Sequence, residues 1–196
     1  MRLVLASNNK KKLREMSDIL SGMGHSVISM AEAGINIQPE EDGETFEENA
    51  MIKAKSAMEC CGLPCIADDS GLMVDALGGA PGVYSARYCE GSDLDRVMFL
   101  LKNMEGKSDR RARFVSAIAC VFTDGRTICA RGECPGEILT TLEGEGGFGY
   151  DPVFYLPKEG MTFAQMPAER KNLISHRAAA MREFCEKLKK MQSEEI

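Results

Sequence analysis

Apolar residues recur at helical spacing at Leu13, Met16, Ile19, Leu20 and Met23, after a short apolar run from Leu3 to Ala6 and the polar turn Ser7-Asn8-Asn9. This pattern predicts a strand, a capping turn and a helix. Gly22 and Gly24 end the helix, and the alternation around Val27 and Ile28 predicts a second strand from His25 to Met30. Thr45 with Glu48 makes a capping box for a helix running to about Cys61, with Phe46, Ile52, Ala57, Met58 and Cys61 facing the core and Asn49 and Lys53 on the solvent side. Gly62 and Pro64 stop that helix before the apolar run Cys65-Ile66-Ala67, which is expected to break into a loop at Asp68-Asp69-Ser70-Gly71.

Further along, Ser92 and Asp95 open a helix with Val97, Met98, Leu101 and Met104 on its apolar face. From Phe114 to Phe122 both alternating faces are apolar, which predicts a strand covered on both sides. Asp124-Gly125 is a hairpin signal, so a strand from Thr127 should pair antiparallel with it and the sheet should be mixed. A glycine-rich loop, residues 144–152, precedes a strand from Val153 to Leu156. Pro167 opens a short helical turn, and Ser175 caps a final helix with Ala180, Phe184, Leu188 and Met191 on one face.

Composition narrows the class. The 196 residues contain no linker or low-complexity tract, so a single domain over 1–196, with two lobes allowed, is expected. A net charge of −6 disfavours a generic nucleic-acid binder. The N-terminal apolar run is too short for a signal peptide and no run reaches membrane-spanning length, which predicts a cytoplasmic protein with no membrane partner. Eight cysteines lie partly inside apolar runs, where free thiols pack as small hydrophobes, and Cys60, Cys61 and Cys65 lack the second ligand pair of a structural zinc site.

Three features carry chemistry. Acidic turns lie around Glu40 and at Asp68-Asp69, with Asp75 close behind. The turn Ser7-Asn8-Asn9, followed by Lys10, Lys11 and Lys12, offers helix N–H groups and cations to a phosphate, although it also reads as a capped surface helix with solvated lysines. Lys171, His176 and Arg177 gather near the start of the final helix, where cations oppose the helix dipole and a bound anion or polar ligand would account for them. On the glycine-rich loop, Phe148 and Tyr150 could stack on a flat ligand or plug the core. Carboxylates suit Mg²⁺, basic groups suit a polyphosphate and an aromatic suits a base, so a nucleoside triphosphate with magnesium satisfies all three.

The stretches LASNNKKKLRE, EEDGETFEENAMIKA, ADDSGLMVDALGGAPGVYSARY, GFGYDPVF and NLISHRAAA resemble, in order and spacing, the Ham1-like inosine triphosphate pyrophosphatase family. The resemblance implies an α/β fold with a long mixed β-sheet flanked by helices, two lobes with a central active-site cleft, and a homodimer. It implies Mg²⁺-dependent hydrolysis of ITP, dITP and XTP to the monophosphate and pyrophosphate, cleansing the nucleotide pool. By position, Ser7, Asn9, Lys12 and Lys53 match triphosphate contacts, Glu40 and Asp69 magnesium ligands, and Asp69 also the proton acceptor. Ser70 matches a substrate contact, and Phe148, Gly149, Tyr150, Asp151, Lys171, His176 and Arg177 the base-recognition set. The opening Ser7-x-Asn9 stands where the family commonly has Thr-x-Asn, and Glu41 adjoins Glu40 closely enough to exchange places with it. Alternatives are a pyrophosphatase of similar fold acting on pyrimidine or modified triphosphates, and a non-catalytic nucleotide-binding regulator.

Overall fold

A computed structural model describes residues 2–194. Among the described residues, seven strands form one mixed sheet in the order β2-β1-β3-β4-β5-β6-β7, and five α-helices flank it. The strands are β1 (Arg2–Leu5), β2 (Ser26–Ser29), β3 (Cys65–Val74), β4 (Arg111–Val121), β5 (Thr127–Ile138), β6 (Phe154–Leu156) and β7 (Met161–Thr162). β1 pairs parallel with β2 and with β3, placing Leu5 opposite Ile66, whereas β6 pairs antiparallel with β5 and with β7.

The chain divides into two compact units, the first holding residues 1–69, 116–132 and 176–196 and the second residues 70–115 and 133–175. In the first unit, α1 (Lys10–Gly22) places Met16, Ile19 and Leu20 against Leu3, Leu5 and Ile66 of the strands and Phe184 and Leu188 of α5 (His176–Ser193). α2 (Phe46–Cys61) begins at the expected capping box and ends at Gly62, whose φ of +63° is the left-handed cap that glycine adopts without a Cβ penalty. In the second unit, Phe114, Phe154 and Phe163 pack ring to ring with centroid separations of 4.5 to 5.8 Å, beside Val97, Leu100 and Met104.

Three expectations need correction. β3 does not break at Asp68: it continues to Val74, with every residue from Cys65 to Asp69 buried, so the two aspartates sit inside a strand. Asn49 does not face solvent but is buried, its side-chain oxygen accepting from the Gly43 N–H at 2.9 Å. In α3 (Asp93–Asn103) the buried face is Val97 and Leu100, with Met104 just beyond the last turn, and Met98 is 53% exposed. α4 (Ala168–Ile174) is the helical turn opened by Pro167.

Candidate active site

In the first unit, α1 begins at Asn9, whose side-chain oxygen accepts from the Lys11 and Lys12 N–H groups at 3.0 and 3.2 Å. The Ser7 hydroxyl accepts from the Asn9 N–H at 3.2 Å, and the Asn8 amide donates to the Ile37 carbonyl at 3.4 Å. The turn is thus held by its own polar side chains, with Lys10 and Lys11 exposed. Lys12, one turn into the helix, instead reaches back to Asp68, with Nζ 2.9 Å from Oδ2.

Successive residues of a strand point to opposite faces, and this sorts the two aspartates of β3 into different company. Asp68, 2% exposed, accepts from the Ser116 hydroxyl at 2.6 Å and faces Lys12 at 2.9 Å and Arg177 at 3.3 Å. Burial opposes its charge, but Arg177, then Lys12 and the Ser116 hydroxyl, overcome that and hold the carboxyl well below the usual carboxylate range. Asp69 meets Lys53, with Nζ 2.7 Å from Oδ1, and Lys53 also reaches Glu41 at 3.0 Å. Burial pushes the Asp69 carboxyl up in spite of Lys53 and Lys12, and the neighbouring Asp68 charge adds to the rise. Glu41 is displaced downward: its own burial is outweighed by Lys53 and by a hydrogen bond from Asp69. The Lys53 ammonium is burdened by burial, yet Asp69 and Glu41 more than compensate and raise its pKa.

Lys53 therefore does not face solvent as its helical position suggested, because the buried Asp69 and the half-buried Glu41 draw it inward. Glu40 is exposed, and its neighbour Glu41 is the acid that sits with Lys53 and Asp69. Arg177, 1% exposed, is flanked by Glu15 of α1 and by Asp68. A bound anion is therefore not needed to account for this cation at the start of α5, since two side-chain carboxylates offset it. His176 is buried at the first position of the same helix. Gly132 lets α5 approach: a Cβ there would lie 2.2 Å from the His176 carbonyl oxygen and 2.2 Å from the Ala180 nitrogen. Glu15, Ser116 and Gly132 were not singled out as site residues from sequence, where each reads as an ordinary surface or strand residue, and Glu41 entered only as the neighbour able to exchange places with Glu40.

The second unit carries the glycine-rich loop. Asp151 is buried, accepting from the Phe148 N–H at 2.9 Å and from Lys171 Nζ at 2.7 Å. Lys171, 5% exposed, also lies 5.0 Å from the centre of the Phe148 ring. Gly147 has φ +71°, and a Cβ on it would meet the Asp151 carboxylate at 2.0 Å. The Gly149 N–H donates to Asp93 at 3.0 Å. Tyr150 plugs the core rather than standing ready to stack: it is 4% exposed, and its hydroxyl donates to the Ser85 carbonyl at 2.9 Å. Burial raises its phenol pKa. Phe148 remains half-buried, as does Ser70. Asp75 pairs with Arg113 at 3.0 Å.

The Ham1 family profile matches residues 3–187, nearly the whole chain. The chain belongs to the Ham1 family. Among its relatives, the dITP/XTP pyrophosphatase of Desulforamulus reducens is 47% identical over 195 residues, covering 97% of each chain. The solved Ham1 protein of Staphylococcus aureus aligns over 100% of both chains with 40% identity and a TM-score of 0.85. The solved HAM1 protein of Coxiella burnetii gives 39% identity and a TM-score of 0.87, covering 97% of this chain and 99% of that one.

The Ham1 resemblance implies a metal ion, and the donor set can be tested against it. Among the described residues, no group of three or more His, Cys, Asp or Glu side chains converges as a ready cage. What the chain offers is the Asp69 and Glu41 carboxyls, which share Lys53 Nζ at 2.7 and 3.0 Å. Two oxygen-donor side chains without a full cage fit a hard cation of the magnesium type, which takes its other ligands from water and phosphate oxygens.

Proposed function

We propose that this protein is a hydrolase that cleaves non-standard purine nucleoside triphosphates, of the ITP, dITP and XTP type, to the nucleoside monophosphate and pyrophosphate. The observation that carries the chemistry is the Asp69–Lys53–Glu41 group, in which a buried carboxyl with a raised pKa is held 2.7 Å from an ammonium that also lies 3.0 Å from a second acid. The likeness to a curated dITP/XTP pyrophosphatase over almost the full chain supports the same reaction.

In this reading Asp69 and Glu41 would hold a divalent cation, Mg²⁺ by the oxygen-donor rule. Glu41 takes the place first expected for Glu40. Bound there, the ion would neutralise phosphate-oxygen charge. Lys12, Lys53 and the polar turn at Ser7 to Asn9 bind and orient the triphosphate, and Ser70 contacts it. Water attacks the α-phosphorus, its proton passes to the Asp69 carboxylate, and the bridging α–β P–O bond breaks with its electron pair leaving on pyrophosphate. Lysine charge stabilises that leaving group. Asp68 contributes by fixing Lys12 and Arg177 rather than by reacting.

Recognition of the base is assigned to Phe148, Gly149, Asp151, Lys171, His176 and Arg177, with Tyr150 anchoring the loop from below. Hypoxanthine and xanthine present a carbonyl at the six position, where adenine presents an amino group. Donors placed for a carbonyl are left unpaired by adenine, and each costs about 1–3 kcal/mol. Several such contacts together support discrimination of roughly 10⁴.

A homodimer is part of the proposal, favoured by the exposed apolar side chains Leu94, Met98 and Tyr84. Sedimentation velocity tests it: a dimer is expected at micromolar concentration, and a monomer at all concentrations contradicts it. No helix among the described residues is long and apolar enough to cross a membrane. A cytoplasmic setting is proposed on the free state of all eight cysteines. Incubating the purified protein with Mg²⁺ and ITP, XTP, dITP or ATP, while following pyrophosphate and orthophosphate separately, tests the activity. Pyrophosphate with monophosphate is the expected product, and stepwise orthophosphate release contradicts the reading.

A further inference from the structure

Cys61, the last residue of α2, and Cys65, the first of β3, bring their sulfurs to 3.5 Å across the turn Gly62-Leu63-Pro64. The two thiols also converge on one acceptor, the Leu63 carbonyl oxygen, at 3.8 and 3.3 Å. Both ends of the turn are fixed, by the left-handed cap at Gly62 and by the pairing of β3 with β1. The sulfurs are thus held in van der Waals contact by backbone geometry. Formation of a bond of about 2.05 Å asks for sulfur movement of only ~1.5 Å, within the reach of side-chain rotation.

We propose that Cys61 and Cys65 form a modification site, a thiol pair that a hydroperoxide converts reversibly to a disulfide. The two partners are chemically unequal. Cys65 is fully buried, and burial followed by the adjacent Cys61 raises its pKa, so it keeps its proton. Cys61 is half-buried and is the sulfur that a small oxidant reaches. As thiolate it attacks one peroxide oxygen; the O–O bond breaks, the departing oxygen takes up the proton that Cys61 released and leaves as water, or as the alcohol from an organic hydroperoxide, and Cys61 becomes a sulfenic acid. The Cys65 sulfur then attacks the Cys61 sulfur, the S–O bond breaks, and the Cys65 proton leaves with the hydroxyl as water. Overall the two thiols lose two electrons and two protons, and the hydroperoxide is reduced. Cys60 is exposed beside the pair and competes for oxidant, so the site is best read without it.

The test uses the full chain carrying Cys60→Ser, in which the tryptic peptide over residues 56–87 retains only Cys61 and Cys65. Reduced protein is treated with hydrogen peroxide, quenched in acid, alkylated in denaturant and mapped by mass. The expected result is a peptide lacking both alkyl groups and lighter than the dithiol form by two hydrogens, returned to the dialkylated form by dithiothreitol. Cys60→Ser/Cys65→Ser should instead stop at the Cys61 sulfenic acid or its further oxidation products. The wild-type protein, treated in parallel, should lose two alkylatable thiols from the same peptide. Two alkyl groups on Cys61 and Cys65 after peroxide, or oxidation of Cys61 to sulfinic acid with Cys65 still alkylatable, would overturn the proposal.

Discussion

At the scale of single residues, the neighbouring acids Asp68 and Asp69 illustrate how a strand converts adjacency into difference. Asp68 is saturated by Arg177, Lys12 and Ser116, whereas Asp69 shares Lys53 with Glu41. Their replacements should therefore separate. Asp68→Asn leaves two cations with reduced compensation, and removing one partner from a buried pair costs about 3–5 kcal/mol, so a large fall in urea midpoint is expected. Asp69→Asn keeps the shape and should retain most of the stability while losing turnover by roughly 10²–10⁴, the range supplied by a general base. Equal loss of stability in both variants would contradict this division. The buried thiols give a pH prediction. Burial pushes Cys120 up to about 12, and burial with Glu159 pushes Cys134 up to about 11. An unfolded thiol ionises near 8.5. Between those values the folded chain holds more protons than the unfolded chain, so stability is full below about pH 8.5 and falls above it, by up to about 1.4 kcal/mol per pH unit per thiol. Melting temperatures between pH 8 and pH 10 should fall less steeply in Cys120→Ala than in the wild type; identical slopes would contradict it.

At the scale of elements, local signals were legible wherever a side chain acts on its own backbone. The Thr45 box, the Asn9 cap and the glycine at the end of α2 each satisfy helix-end groups that have no other partner, and all are visible as short-range patterns. What escaped was decided by partners distant in sequence. β3 continues through Asp68-Asp69-Ser70-Gly71 because Ser116, Lys12, Arg177 and Lys53 offset the cost of burying the two acids; composition alone makes those residues look like a turn. Lys53 was drawn inward for the same reason, whereas Asn49 turns inward to the Gly43 backbone six residues away, and Glu41 was separable from Glu40 only once Lys53 had a position. Gly132 is the clearest case of a long-range requirement, since the residue it makes room for, His176, lies 44 positions later (176 − 132). Gly132→Ala forces a methyl against the first turn of α5 and should lower both stability and turnover, with stability falling by about 1–3 kcal/mol. A variant with wild-type melting temperature and activity would show that α5 does not need this close approach.

At the scale of the whole molecule, the family motifs made the α/β class and the mixed sheet readable, while the division into two units was not readable from any linker. The reason lies in the connectivity. The chain passes between units at 69/70, 115/116, 132/133 and 175/176, within or beside regular elements rather than through a flexible segment. We propose on this ground that the two units unfold as one domain, as expected when neither is a continuous piece of chain. Phe154→Ala removes the centre of the second unit's aromatic cluster and should cost about 3–5 kcal/mol. Fluorescence and circular dichroism should report one shared transition at a lower midpoint, and two separated transitions would contradict the single-domain reading. The central claim is a pyrophosphatase selective for six-keto purines with Asp69 at its chemistry. It is tested most directly by kcat/KM for pyrophosphate release from XTP, ITP and ATP, measured with Mg²⁺ on the wild type and on Asp69→Asn. The account predicts XTP and ITP ahead of ATP by several orders of magnitude and near-complete loss in the variant. Comparable values for ATP and ITP, or wild-type turnover by Asp69→Asn, would contradict it.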